Sequence, residues 1–481
     1  MKRFVFLVIT IILGSLNTFS QSVGVTDFMR LNPYSSFNNP AYFVPYSSYV
    51  GIPGVSNFNF SLYNSSFIYK NLIETKKRTP LKWTPNKFVN SLSKNNWFNT
   101  ELNLEILGCG FRIQKYFFSF SYRVKMNERF RYSKDLFGFV LQGNLAQNNH
   151  GEYLYTADHP ALIEIAPNIN LYQEMSFGFQ GEISDQLYIG VRPKILWGLL
   201  NLKTETFNAK IYSNPNDYTI YGNYNISINT STLFPLYTKD ANGELRFDMD
   251  NLAWWGVKNC FSKNLGFAID LGAMYRINQQ IRVAASVTDL GFIRWKVSPL
   301  NINIKPLSDE EYAMFEGFTY DQIENFIYNG MTMNFDSITN DFINNNFVLN
   351  ELKAYNTMLT SKIMLEGYFD LTSSTRFILQ LKGYIMGKAF LPQFTIAYNG
   401  TFFNAIDIVV SYSMMKKSFA NLGLGVGFRA GPFHIYAGTD NVWAAINVFN
   451  AKKMNITFGM LVDLPFREKV KEAELKSLFM K

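Results

Sequence analysis

Cysteine and histidine are nearly absent from this chain, with two and three copies in 481 residues. Cys109 and Cys260 do not make a disulfide scaffold, so two unpaired thiols are expected. His150, His159 and His434 are scattered, and none pairs with Cys, Asp or Glu at metal-ligand spacing. His150 and His159 fall in a predicted loop, where solvent exposure is the default. No metal and no other cofactor is expected. Charged residues make up only 17% of the chain, against about 25% in an ordinary soluble domain. The net charge of +8 is mild for this length, and no dense Lys/Arg run supports nucleic-acid binding. Past the first residues, no stretch has 18 consecutive apolar residues, which excludes helical membrane spans. Gly423, Gly425 and Gly427 lack the third glycine of a dinucleotide loop and precede no helix. With no nucleophile–base pair either, no catalytic residue is expected, and the chain reads as a non-enzyme.

Aromatic residues are abundant: 45 Phe and 28 Tyr. Such bulk suits the lipid face and the rim girdles of an outer-membrane barrel. The first residues read as an export address over 1–20. Lys2 and Arg3 lead the apolar run Phe4–Leu13, and the small residues Thr18 and Ser20 precede Gln21.

The clearest pattern lies in 265–294. Leu265, Phe267, Ile269, Leu271, Ala273, Tyr275 and Ile277 alternate with small or polar residues, then a turn at 278–280 leads into Ile281, Val283, Ala285 and Val287. Period two marks strands, and each arm is long enough to cross a bilayer at about 9–11 tilted residues. A short extended stretch at 48–52 and a turn at Pro53-Gly54 lead into similar strands, expected near 55–69, 98–114, 116–130, 168–182 and 186–200. Others follow near 361–371, 375–386, 391–399, 405–415, 419–429, 432–440 and 454–464. In lipid, closure satisfies every backbone group, so these strands imply an all-β, transmembrane antiparallel barrel in the bacterial outer membrane. Placing the short turns at the periplasmic end gives about fourteen strands, or sixteen if the hairpin in 203–230 enters the wall. The expected organisation is a signal peptide (1–20), an N-terminal plug segment (21–54), the barrel (55–466) and a charged periplasmic helical tail (467–481). Helical insertions are expected after Pro85, at 309–328 and at 337–345, and Trp254–Trp255 mark an apolar patch in a loop.

Three stretches carry a resemblance: Asn39-Pro40-Ala41 shortly before the first strands, residues 265–295, and residues 433–464. Together they resemble an uncharacterised outer-membrane barrel family, a domain of unknown function, over nearly the whole mature chain. That family is similar to the long-chain fatty-acid transporter (FadL-like) barrels and to the PorV-type barrels of type IX secretion. The resemblance implies that Asn39, Pro40 and Ala41 belong to a plug inside a fourteen-stranded barrel. No ligand-binding residue carries over.

Opposite the apolar stripe, strand parity places Arg123, Lys125, Arg192, Lys194, Asp270, Arg276, Arg282, Glu366, Asp370, Arg376, Lys382, Asp407 and Arg429. An Arg or Lys at mid-depth on the lipid face would cost roughly 2–4 kcal/mol, so this face is expected to line the lumen. There it either braces the barrel through Arg–carboxylate networks or forms a passage for anionic or amphipathic cargo. Gly423, Gly425 and Gly427 leave room on that side for a plug or a solute. Two functions follow. One is a plugged channel or transporter for hydrophobic or amphipathic small molecules. The other is a non-transporting anchor docking a periplasmic or secretion partner. Outer-membrane lipid is the surrounding partner in both.

Overall fold

A computed structural model describes residues 24–464, apart from 72, 75–81, 84, 217–218, 234–236, 240–244, 248–260, 262, 305–312, 316–346, 387–388, 404, 416–417 and 447–450. The chain forms a closed antiparallel barrel of 14 strands. In order, they are β1 (Ser48–Gly51, resuming at Phe58–Asn64), β2 (Asn95–Ile113), β3 (Tyr116–Ser133), β4 (Ile165–Ser184) and β5 (Leu187–Ser213). Next come β6 (Leu265–Arg276), β7 (Ile281–Trp295), β8 (Tyr355–Met358 with Ser361–Asp370), β9 (Thr375–Met386) and β10 (Ala389–Phe402). The wall ends with β11 (Ile406–Met415), β12 (Ser418–Ala430), β13 (Phe433–Thr439) and β14 (Lys453–Leu464). Each strand pairs with its chain neighbours, and β1 closes the ring against β14, with Val50 opposite Val462 and Phe60 opposite Ile456.

The strands form because period-two alternation gives each a greasy outer flank. Phe267, Leu271, Tyr275, Leu379, Val410, Val426 and Phe458 are all exposed on the outside. Their neighbours Ala268, Asp270, Met274, Gln380, Val409, Ser411 and Thr457 are buried. Tight turns such as 277–280, 371–374 and 431–432 all fall at one end, and the four long insertions fall at the other.

The hairpin near 213–217 stays out of the wall. The far half of β5 runs past the ring and pairs with Ile220–Thr232. That strand pairs with Leu300–Ile304, which pairs with Phe347–Glu351. A flange of sheet therefore stands off the mouth, and the wall count stays at fourteen rather than sixteen.

Some boundaries differ from the sequence reading. The wall begins at Ser48 rather than 55, because Ser48–Gly51 already pairs with both β2 and β14. The turn expected at Pro53–Gly54 is present, with Gly54 at φ 78°, and it separates the two halves of strand one. The helix after Pro85 is present as α1, Pro85–Ser91. An unanticipated helix, α2 (Lys134–Gln142), starts where the Ser133 hydroxyl accepts the Leu136 N–H at 3.2 Å, a standard N-cap. Within the helix expected at 309–328, Ala313–Phe315 is a strand. The signal peptide, most of that segment, 337–345, Trp254–Trp255 and the tail 467–481 lie outside the described residues.

Candidate functional site

The barrel interior holds two things: an inward-facing polar network and the N-terminal segment Gly24–Ser47. The segment contains two short 3-10 turns, Val25–Phe28 and Pro33–Phe37. Val25, Met29, Tyr34, Ala41, Tyr42 and Tyr46 pack in one cluster with Phe117, Met274, Tyr368, Val409, Tyr436 and Leu461. Those partners come from strands all around the ring, so the segment lies within it. Two glycines allow the closest approach. A Cβ on Gly190 would sit 2.1 Å from the Pro40 carbonyl carbon, and one on Gly272 would sit 2.1 Å from the Asn39 side chain. Asn39 Oδ1 accepts the Ala41 N–H at 2.9 Å, which fixes the bend at Asn39-Pro40-Ala41. Over Gly423 and Gly425 lie Val25 and Met29, so segment side chains occupy the space those glycines leave.

The strands hold the segment by its backbone. Asp440 accepts the Gly24 and Val25 N–H groups at 3.2 and 2.9 Å, and Asp407 accepts that of Leu31 at 3.0 Å. Gln180 donates to the Ala41 carbonyl at 2.8 Å, Arg112 to that of Val44 at 2.5 Å, and Arg192 to that of Ser36 at 2.7 Å. Phe37 offers its ring to two guanidinium groups, Arg123 at 3.8 Å and Arg192 at 4.3 Å.

The inward side chains fall into distinct sets. At mid-depth, Lys194 contacts Asp270 and Asp289, each at 2.6 Å, and Lys125 contacts Glu174 at 3.2 Å and Asp289 at 3.3 Å. Arg123 also bonds Glu174, and Arg192 stands 3.9 Å from Asp270. Toward the short turns, Asp370 gathers three guanidinium groups: Arg282 at 2.5 Å, Arg376 at 2.7 Å and Arg30 of the segment at 3.0 Å. Glu366 accepts from Tyr368 at 2.6 Å and Gln380 at 2.9 Å. Half-buried Arg276 donates to the Tyr188 hydroxyl at 3.1 Å, and Arg429 pairs with Asp463 at 2.6 Å. Buried Lys382 reaches Asn38 Oδ1 at 3.4 Å. His434 is buried in the wall, whereas His150 and His159 are exposed.

Glu105, Glu174 and Asp289 were not among the expected residues, yet all three are buried in this network. Parity on β4 could have found Glu174. Asp289 could not be found that way, because a bulge breaks the register: Ile269 faces Leu290 while Leu271 faces Val287. Asp289 sits at φ 57°, and both it and Thr288 point inward. A similar shift between Glu105 and Leu107 changes the inward parity of β2.

Among the described residues, two polar spaces lie between the segment and the mouth. A chamber of about 100 Å³ touches Asp27, Asn38, Lys125, Lys194, Lys362 and Lys382 above the segment. A vestibule of about 470 Å³ lies toward the mouth, and Glu101 lines both. Burial pushes the Asp27 carboxyl up to about 7 against the opposing pull of Lys382 and the Asn38 hydrogen bond. Burial, helped by the nearby Arg376 charge, lowers Arg30 to about 10. Among the described residues no group of three or more His, Cys, Asp or Glu could hold a metal.

These features define a closed fourteen-stranded barrel with an apolar exterior, a charged interior and an N-terminal segment packed inside. The chain belongs to DUF5723, a family of unknown function, which it matches over residues 40–440. No curated protein matches it. Similar solved structures include a deletion mutant of the TodX monoaromatic hydrocarbon channel, with a TM-score of 0.43 at 8% identity, covering 90% of this chain and 95% of that one. The Ralstonia pickettii toluene transporter TbuX gives 0.43 at 7% identity, covering 90% and 94%. A Pseudomonas aeruginosa FadL homologue gives 0.40 at 9%, covering 93% and 99%. At these scores the likeness carries no ligand and no residue role across.

Proposed function

We propose that this protein is an outer-membrane barrel whose N-terminal segment acts as a plug and whose lumen admits a small amphipathic molecule with an anionic head. The export address read in residues 1–20 and the apolar outer band support the location, since a closed barrel leaves no unpaired edge in lipid. The observation that carries the cargo class is the chamber above the segment. Arg123, Lys125, Lys194, Lys362 and Lys382 line it against Asp27, Glu101 and Asp289. Glu174 and Asp270 offset Arg123 and Lys194 from behind the lining, so it is Lys362 and Lys382 beside Asn38 that favour an anionic head, and so polar a lining favours amphipathic over purely hydrophobic cargo. Proteoliposomes carrying the purified barrel test this with a short-chain fatty carboxylate and its methyl ester. Faster entry of the carboxylate is expected, with a large, unselective leak once 24–46 is deleted. Equal, background entry of both, unchanged by the deletion, overturns the proposal.

The flange beside the mouth favours a second reading, that of a non-transporting anchor. Crosslinking from 220–232 in intact cells would recover a defined partner under that reading and none under the first.

A further inference from the structure

The vestibule at the mouth is built differently from the chamber below it. Across four consecutive strands, cross-strand partners form one row, Glu101–Asn127–Asn170–Asn201. The next row toward the mouth is Asn99–Arg129–Asn168–Lys203. Every one of these side chains lines the same space of about 470 Å³, with Thr357 on the opposing flank. Neighbouring strands lie about 4.8 Å apart and same-face residues about 6.8 Å apart, so the rows make a flat, regular grid of polar groups.

The grid is held in place from behind. Asn201 donates to Asn170 Oδ1 at 2.7 Å and to the Ile169 carbonyl at 3.0 Å, and accepts from the Tyr355 hydroxyl at 2.7 Å. Thr357 donates to Asn170 Oδ1 at 3.4 Å and is in turn fixed by the Trp295 indole N–H at 2.8 Å. The charge is largely cancelled as well. Arg131 pairs with Glu164 at 3.1 Å and Lys203 with Glu205 at 2.6 Å. A near-neutral surface gives a lone anion little advantage. A primary amide offers both a donor and an acceptor, as each sugar hydroxyl does, and carboxylates and guanidinium groups complement such hydroxyls.

We infer that this vestibule is a binding site for a polyhydroxylated ligand, a sugar unit laid across the asparagine rows. The inference concerns recognition at the mouth and needs no transport, so its failure and that of the plugged-channel reading are separable.

The two sources of such a ligand are a free oligosaccharide and the sugar region of lipopolysaccharide. Isothermal titration of the detergent-purified full chain uses maltotriose, triacetylchitotriose and lipopolysaccharide as probes. Saturable binding of at least one is expected, weakened at least tenfold in Asn127→Leu/Asn168→Leu and unchanged in the outer-wall control Leu379→Ala. Binding by a trisaccharide assigns the free source, and binding by lipopolysaccharide alone assigns the lipid-borne one. Folding of each variant is checked by heat-modifiable migration. If the double variant does not fold, the single variant Asn127→Leu carries the same comparison. No saturable binding of any probe, or binding that the vestibule variants leave unchanged, overturns the inference.

Discussion

Lys194 is the residue on which the mid-depth network turns. It neutralises Asp270 and Asp289 together, and both it and Asp270 are fully enclosed. Removing one partner of a buried ion pair leaves the other charged and unsolvated, which is worse than never having had the pair. Lys194→Met is expected to cost about 3–5 kcal/mol in detergent-based urea unfolding, with partial recovery when Asp270→Asn is added. Asp27 behaves in the opposite sense. Its carboxyl is raised to about 7, so the folded state favours the proton, and that contribution is whole below about pH 4 and is lost as pH rises through 7. The N-terminal segment is therefore expected to resist proteolysis better at pH 5 than at pH 8, and Asp27→Asn should flatten the difference. An identical pH profile in the two proteins would rule Asp27 out as the cause.

Elements were legible wherever alternation ran unbroken. Strands β6, β7, β9 and β11 lie within a residue or so of the expected bounds, because an apolar outer flank and polar packing on the inner one enforce period two. Legibility failed where the backbone steps out of register. The bulge at Asp289 turned an apparently outward residue inward, and such a step leaves no periodic trace. The Pro53–Gly54 turn was legible from its residue types; that the stretch before it belongs to the wall was not, because its partners on β2 and β14 lie far away in sequence. The inner face could be read from its Arg and Lys residues; which carboxylate each would meet depends on strands far apart in sequence. Asp440 grips the backbone at Gly24, a pairing that no local pattern could suggest. The segment itself depends on close approach, and Gly190 is the place to test it. Gly190→Val would drive a side chain into the Pro40–Ala41 backbone while leaving the wall's hydrogen bonds intact. The expected result is a normally migrating barrel whose N-terminal segment is cut by protease at least tenfold faster.

For the whole molecule, the governing distribution is greasy outside, charged within. Leu379 is 51% exposed in mid-strand on β9, whereas its chain neighbour Gln380 is 1% exposed and faces the lumen. Leu379→Arg should lower stability by about 2–4 kcal/mol in lipid vesicles. An Arg there that costs nothing in vesicles would mean that this flank does not meet lipid.

The ring closes only when β14 meets β1, yet the chain within it precedes β1 and is tethered by Asp407 and Asp440, on and just past strands late in the described chain. The enclosed segment therefore reaches its full set of contacts only once the strands farthest from it in sequence have joined the ring. Such sequence-distant pairing makes for slow assembly. A chain that closed before its N-terminus was in place would have to reopen to take it in.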